Sequence, residues 1–225
     1  HQFKKDFYTI YNKINKRNKF SILCGGSGLY LESILLNYKI PNVPPDNNLR
    51  ENLQNQSINV LQDKLKKIDK SIYDSTYHIT KRRIIRTIEV LNKNNMNPSV
   101  ESYNFINNFC VLGIKIERAV LLERIKKRLN ERLNSGMIEE VETLIKKGMT
   151  LNRLKYFGLE YKFLGEYLFK NISFEEMHNK LNIAINRFSK RQMTFFRRME
   201  KRGIAIKWIN NDDLSLATKY IQQFL

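Results

Sequence analysis

Three short apolar runs set the limits on this fold: Phe20-Ser21-Ile22-Leu23-Cys24, Phe109-Cys110-Val111-Leu112-Gly113-Ile114-Lys115-Ile116 and Ile204-Ala205-Ile206-Lys207-Trp208-Ile209. Each has strand length, and the residues between them carry apolar positions at helical spacing. Strands kept apart by long helical stretches read as parallel neighbours joined by crossovers, not as hairpins. The first run is predicted to be a buried strand entering the tight turn Gly25-Gly26. Three strands are few for such a sheet, so either the sheet is small or strands are missing from its N-terminal side.

The helices follow from the same periodicity. Residues 3–17 form one, through Phe3, Phe7, Ile10, Tyr11 and Ile14. A second opens at Gly28 behind a capping Ser27 and runs to about Asn37. Pro41, Pro44 and Pro45 then interrupt the chain, and Asp46 is placed to cap a helical stretch from Leu49 to about Lys67. Thr76 to Asn94 carries Ile84, Ile85, Ile88 and Leu91 on one face, and the Asn-rich segment 92–108 reads as a loop. Arg118–Leu133 and Met137–Lys147 form an αα-hairpin broken at Asn134-Ser135-Gly136, with Gly148 as C-cap. A shorter helix covers about 158–168. A long one runs from Phe174 to Lys201, with Ser173 and Glu176 spaced as a capping box. Residues 214–225 close the chain. The reading is an α/β, helix-rich fold.

Charge bears on partners. Forty Lys and Arg against 22 Asp and Glu leave a formal net charge of +18, a surface that attracts polyanions. Nucleic acid is the first candidate, anionic membrane the second, and a merely solvated basic surface the third. Hydrophobic residues at 42% exclude a disordered tail. No apolar run approaches the roughly 20 residues of a membrane-spanning helix, and the N-terminal residues have no signal-peptide core. Cys24 and Cys110 lie in apolar runs and are expected to be buried thiols in a reducing, cytoplasmic setting. The two Cys and three His show no zinc-ligand spacing.

Three constellations could carry chemistry. Gly25-Gly26-Ser27-Gly28-Leu29-Tyr30 is either a backbone seat for an anion at a helix N-terminus or a tight turn with a capping serine. It is not a Walker A loop, because no Gly-Lys-Ser/Thr ends it. In Lys81-Arg82-Arg83-Ile84-Ile85-Arg86-Thr87-Ile88-Glu89, the arginines crowd at three- and four-residue steps. Such crowding needs a compensating acid or anion; Glu89 supplies part and an RNA backbone would supply more, while a solvated face is the alternative. On the long helix, Arg187, Lys190, Arg191, Thr194, Arg197, Arg198 and Lys201 recur opposite Leu181, Ala184, Ile185, Phe188, Phe195 and Met199. Seven basic residues and one acid within 187–202 read as an anion track.

Taken in order, these motifs resemble those of the tRNA dimethylallyltransferases, also called tRNA isopentenyltransferases or IPP transferases. Gly25 to Tyr30 resembles the family's Gly-Gly-Thr-Gly-Leu-Tyr, with Asp46 and Arg50 following at the family's distance. Arg83 to Glu89 looks like Arg-x-x-Arg-Ala-Leu-Glu. Arg124-Ile125 with Arg128, then Gly136 to Val141, resembles the arginine helix and Gly-Leu-Ile-Glu-Glu-Val. Lys190 to Arg197 is similar to Lys-Arg-Gln-x-Thr-Trp-x-Arg. The order agrees from about residue 3 to residue 210.

The resemblance implies a P-loop-kinase-like parallel sheet core, incomplete at its N-terminus, with an inserted helical domain. Residues 1–44 and 106–225 would belong to the core and its C-terminal tRNA-binding helices, and 45–105 to the insert. It implies transfer of a dimethylallyl group from dimethylallyl diphosphate to N6 of the adenosine 3′-adjacent to the anticodon, in tRNAs reading codons that begin with U. Mg2+ would assist the diphosphate, and the chain would act as a monomer on a tRNA anticodon stem-loop. Ser27 takes the place of the catalytic threonine. Arg50, Arg82, Arg83, Arg86, Phe157, Lys162, Lys190, Arg191, Gln192, Thr194 and Arg197 fall where the family touches tRNA, and Gly25, Gly26, Arg124 and Arg128 where diphosphate would bind.

Departures are visible too. Arg82 stands for a usual Gln, Phe195 for Trp, and Leu159-Glu160-Tyr161-Lys162-Phe163 for Ile-Gly-Tyr-Lys-Glu. The family's nucleotide-type (ATP-binding) phosphate loop, Gly-x-[ST]-x-x-Gly-Lys-[ST], does not occur in the 225 residues, nor does its Asp-Ser-x-Gln-x-Tyr segment with the proposed general base. A chain without a starting Met that lacks both is expected to be a piece of a longer enzyme. A tRNA-binding module without activity and a P-loop nucleotide or metabolite kinase are the competing readings.

Overall fold

The computed structural model describes residues 1–75, 80–94, 103, 106–211 and 213–224. Along the chain come α1 (Gln2–Asn15), α2 (Gly28–Leu35), α3 (Asn47–Gln54), α4 (Ile58–Ile68), α5 (Lys70–Ser75) and α6 (Lys81–Asn94). They are followed by β1 (Val111–Lys115), α7 (Arg118–Arg132), α8 (Ile138–Lys146), α9 (Leu151–Leu154), α10 (Leu159–Leu168), α11 (Phe174–Lys201), β2 (Ile206–Asn210) and α12 (Leu214–Phe224). These elements form two compact units, His1–Cys24 with Glu32–Ile106, and Gly25–Leu31 with Asn107–Leu225.

In the first unit, α3, α4 and α6 bury Leu53, Leu61, Leu65, Ile84, Ile85 and Ile88 against one another. Each such side chain contributes about 1.5–3 kcal/mol of transfer free energy. The Asp46 side chain accepts from the Leu49 N–H and starts α3. The stretch expected as one helix from Leu49 to Lys67 is two, because Ser57 accepts from the Val60 N–H and caps α4 afresh. Residues 76–79 and most of the Asn-rich segment expected as a loop lie outside the described residues.

The run Phe20–Cys24 is not the predicted buried strand. It has no regular structure, and Phe20 and Ile22 are 77% and 87% exposed. A strand needs a neighbour to pair its backbone donors and acceptors. Among the described residues the sheet consists of β1 and β2 alone. The cysteines depart from expectation for related reasons: Cys24 is exposed with its run, and Cys110, just before β1, is only half-buried.

In the second unit, β1 and β2 pair in parallel, with Val111 opposite Ile206 and Lys115 opposite Asn210. The crossover between them is the helical assembly α7–α11. Its core joins Leu129 of α7, Val141 of α8, Leu154 of α9, Leu164 of α10, and Met177 and Leu181 of α11. The predicted hairpin forms, with a wide turn at Leu133–Met137 between α7 and α8. The α11 capping box is complete: the Ser173 side chain accepts from the Glu176 N–H, and the Glu176 carboxylate accepts from the Ser173 N–H. At the other end of α11, the Trp208 indole N–H of β2 donates to Glu200 Oε1 at 2.7 Å, and the indole packs edge-on against Phe196. No helix among the described residues is long and apolar enough to cross a membrane.

Candidate functional site

The glycine bend belongs to the second unit, where it meets α11. Ser27 occupies the first cap position of α2: its carbonyl accepts from the Tyr30 and Leu31 N–H groups, and the residue itself is exposed. The Gln192 side-chain amide donates to the Gly26 carbonyl at 3.0 Å, across 166 positions of sequence. Close approach explains Gly26 and Gly28, whereas a Cβ on Gly25 would meet open space. A Cβ on Gly26 would stand 2.3 Å from Gln192 Nε2, and one on Gly28 would stand 2.1 Å from the Phe195 ring. The Arg198 guanidinium lies 4.0 Å from the centre of that ring on a cation–π contact. Two motifs at opposite ends of the chain therefore form one piece of surface.

Around this contact, Arg187, Lys190, Arg191, Thr194, Arg197, Arg198 and Lys201 are all exposed, as the periodicity predicts. Leu181 and Met199 of the opposing stripe are buried, whereas Phe188, expected with them, is 43% exposed beneath the Arg191 guanidinium. The Thr194 hydroxyl donates back to the Lys190 carbonyl. Among the described residues, no carboxylate pairs with Arg187, Lys190, Arg191 or Arg197. Their charges add rather than cancel.

The first unit holds the other arginine cluster, organised around the fully buried carboxylate of Glu89 on α6. Oε1 accepts from the Asp46 N–H at 2.6 Å and from Arg50 Nε at 2.9 Å. Oε2 accepts from Arg50 Nη2 at 2.8 Å and from Arg86 Nη1. Arg86 Nη2 also donates to the Val43 carbonyl at 2.8 Å. Burial pushes the Glu89 carboxyl pKa up. The hydrogen bonds from Arg50, the Asp46 N–H and Arg86, with the charge of Arg50, outweigh it and hold the group at about 2. An open depression of about 300 Å³ beside this cluster is lined by Arg50, Gln54, Arg82, Ile85 and Arg86. Arg82 and Arg83 are exposed at the start of α6.

The remaining predicted residues are surface features of the second unit. Phe157 is exposed and tilts against Tyr161, and the Lys162 ammonium sits over the Phe163 ring. Gly158, one residue before α10, takes φ +131°, a conformation that favours glycine, and α10 then runs through Glu160 as ordinary helix. Arg124 and Arg128 are exposed one turn apart on α7; no hydrogen bond or ion pair among the described residues ties either to the glycine bend.

A family model described as IPP transferase matches residues 1–199. The chain belongs to that family. Its relatives include a protein named tRNA dimethylallyltransferase 1 from Azobacteroides pseudotrichonymphae, 42% identical over 93% of this chain and 68% of the relative. A protein of the same name from Parabacteroides distasonis gives the same figures. Among solved structures, the tRNA isopentenylpyrophosphate transferase of Bacillus halodurans matches in fold with TM-score 0.62 at 24% identity, over 98% of this chain and 71% of that one. The Staphylococcus epidermidis tRNA delta(2)-isopentenylpyrophosphate transferase matches with TM-score 0.59 at 26% identity, over 98% and 73%. The helix-rich α/β fold of this IPP transferase family member accords with theirs.

Sequence reasoning missed two partners in this family member. The Arg50–Glu89 pair spans 39 positions, and no helical spacing announces it. Gln54 joins the depression only because α3 lies along α6. For magnesium, no three His, Cys, Asp or Glu side chains converge among the described residues to hold a metal. A magnesium ion carried mainly by the oxygens of a diphosphate needs fewer protein ligands than such a cluster supplies.

Proposed function

We propose that this chain serves tRNA modification, in the transfer of a dimethylallyl group from dimethylallyl diphosphate to N6 of the adenosine 3′-adjacent to the anticodon. The substrates would be tRNAs that read codons beginning with U. The observation that carries the reading is the hydrogen bond from Gln192 to the Gly26 carbonyl. It joins the family's glycine motif to its basic signature and leaves Ser27 exposed beside a cationic helix. The Ser27 hydroxyl then orients the adenine, whose exocyclic amine is a weak nucleophile that depends on positioning. The bond between the allylic carbon and the diphosphate oxygen breaks, the bond to N6 forms, and inorganic diphosphate leaves. Backbone N–H groups at the start of α2 favour its developing charge. The N6 proton passes to a general base, a role given to none of the residues named above.

The exposed cations of α11 and the arginines of the first unit grip the RNA backbone, as an enzyme that extrudes a base requires. The test is transfer of label from dimethylallyl diphosphate to an anticodon stem-loop by the full product of this reading frame, with Ser27→Ala beside it. Turnover should fall more than RNA affinity. Phosphate transfer from ATP in its place would favour a kinase, and stem-loop binding without any transfer would leave a binding module.

A further inference from the structure

The Glu89 cluster has a property that charge counting does not convey. A carboxylate offers about four lone-pair directions. Here all four are used: by the Asp46 N–H, by two N–H groups of Arg50 and by one of Arg86. The acid has nothing left to offer a ligand. The arginines do, since each carries five N–H donors in a rigid plane. Arg50 spends two on Glu89; Arg86 spends one there and one on the Val43 carbonyl. Their side chains remain 42% and 39% exposed, while that of Glu89 is fully buried. Both border the depression of about 300 Å³ that Arg82 and Gln54 share.

We infer that Glu89 is a positioning residue that holds Arg50 and Arg86 as one rigid pair of guanidiniums, and that this pair, with Arg82 and Gln54, seats a single phosphodiester of the tRNA backbone. The inference rests on the tRNA reading above and adds to it the residue that builds the seat. Two non-bridging oxygens match the fork of a guanidinium, and bidentate contact rewards fixed geometry. Three guanidiniums and one carboxylate leave a net charge of +2, enough to attract one phosphate and remain attractive to the strand. A seat held by a buried acid loses little side-chain entropy on binding, because the acid has already ordered the arginines.

The experiment measures binding of the 225-residue chain to an anticodon stem-loop RNA by fluorescence anisotropy over a salt series, with heparin as a structureless polyanion. Glu89→Gln removes a negative charge. If Glu89 only offsets charge, both affinities rise. If it positions the arginines, stem-loop affinity falls by roughly tenfold and the salt slope drops by about one, while heparin binding holds or rises. Arg86→Lys keeps charge and removes the fork, and decides the matter should Glu89→Gln fail to fold: several-fold weaker stem-loop binding with unchanged heparin binding is expected. Stem-loop binding untouched in Arg86→Lys, or tightened in Glu89→Gln, overturns the inference. So does inorganic pyrophosphate that displaces the stem-loop from the parent chain and not from Arg86→Lys, since the seat would then belong to the free diphosphate. A parent chain that binds duplex DNA as well as the stem-loop refutes the tRNA reading itself.

Discussion

The two units carry positive charge in opposite ways. In the first, Arg50 and Arg86 are tied to a buried carboxylate, and their remaining donors point from fixed positions. In the second, the cations of α11 stand on a helix surface, with the nearby acid Glu200 turned to the Trp208 indole. A locked pair offers geometry; a row of exposed cations offers field. The first is suited to choosing one phosphate, the second to drawing a polyanion in and sliding along it.

The strongest challenge to this contrast is Glu89→Ala. It leaves two guanidiniums facing each other and the Asp46 N–H unpaired, and should cost the first unit about 2–3 kcal/mol by urea denaturation. A loss near zero would mean the arginines are not locked. Acid gives the same test without mutation. The folded-state pKa of Glu89, about 2, lies below its ordinary value. Its stabilisation is therefore complete above about pH 4.5, declines as pH falls towards 2 and is gone below that. Glu89→Gln should flatten that part of the profile.

Next in size is Gly28→Ala, which drives a methyl into the Phe195 ring and should cost roughly 1–3 kcal/mol of stability in the second unit. Gln192→Ala removes one neutral hydrogen bond, about 1 kcal/mol. In the full reading-frame product it should lower turnover more than stem-loop affinity, since the residue holds the bend. The smallest stability effect belongs to Arg197→Ala: within about 0.5 kcal/mol, yet with weaker stem-loop binding and a salt slope lower by about one.

These expectations also mark what the sequence made legible. Helices α7, α8 and α11 and the capping box follow from periodicity and caps, which act over a few consecutive residues; β1 and β2 follow from apolar runs of strand length, and each is completed only by pairing with the other. The exposure of the α11 arginines follows from the same stripe. Phe20–Cys24 has the length and composition of a strand but no regular structure, because an apolar run says nothing about whether a partner strand lies beside it. The locked pair was half visible: Arg86 and Glu89 are three apart on one helix, but Arg50 comes from a different helix, across 39 positions. The Gln192–Gly26 bond is longer-range still. Local patterns name the elements, and only packing names which of them touch.

The chain has one tryptophan, and it stands on β2 with its indole bound to α11. Tryptophan fluorescence, excited where the eleven tyrosines do not absorb, therefore watches only the half of the protein that contains the glycine bend. Emission excited at the indole will follow the opening of that half, while far-ultraviolet dichroism follows the helices of both. A denaturation curve recorded both ways gives each half its own midpoint, without a label or a new mutation.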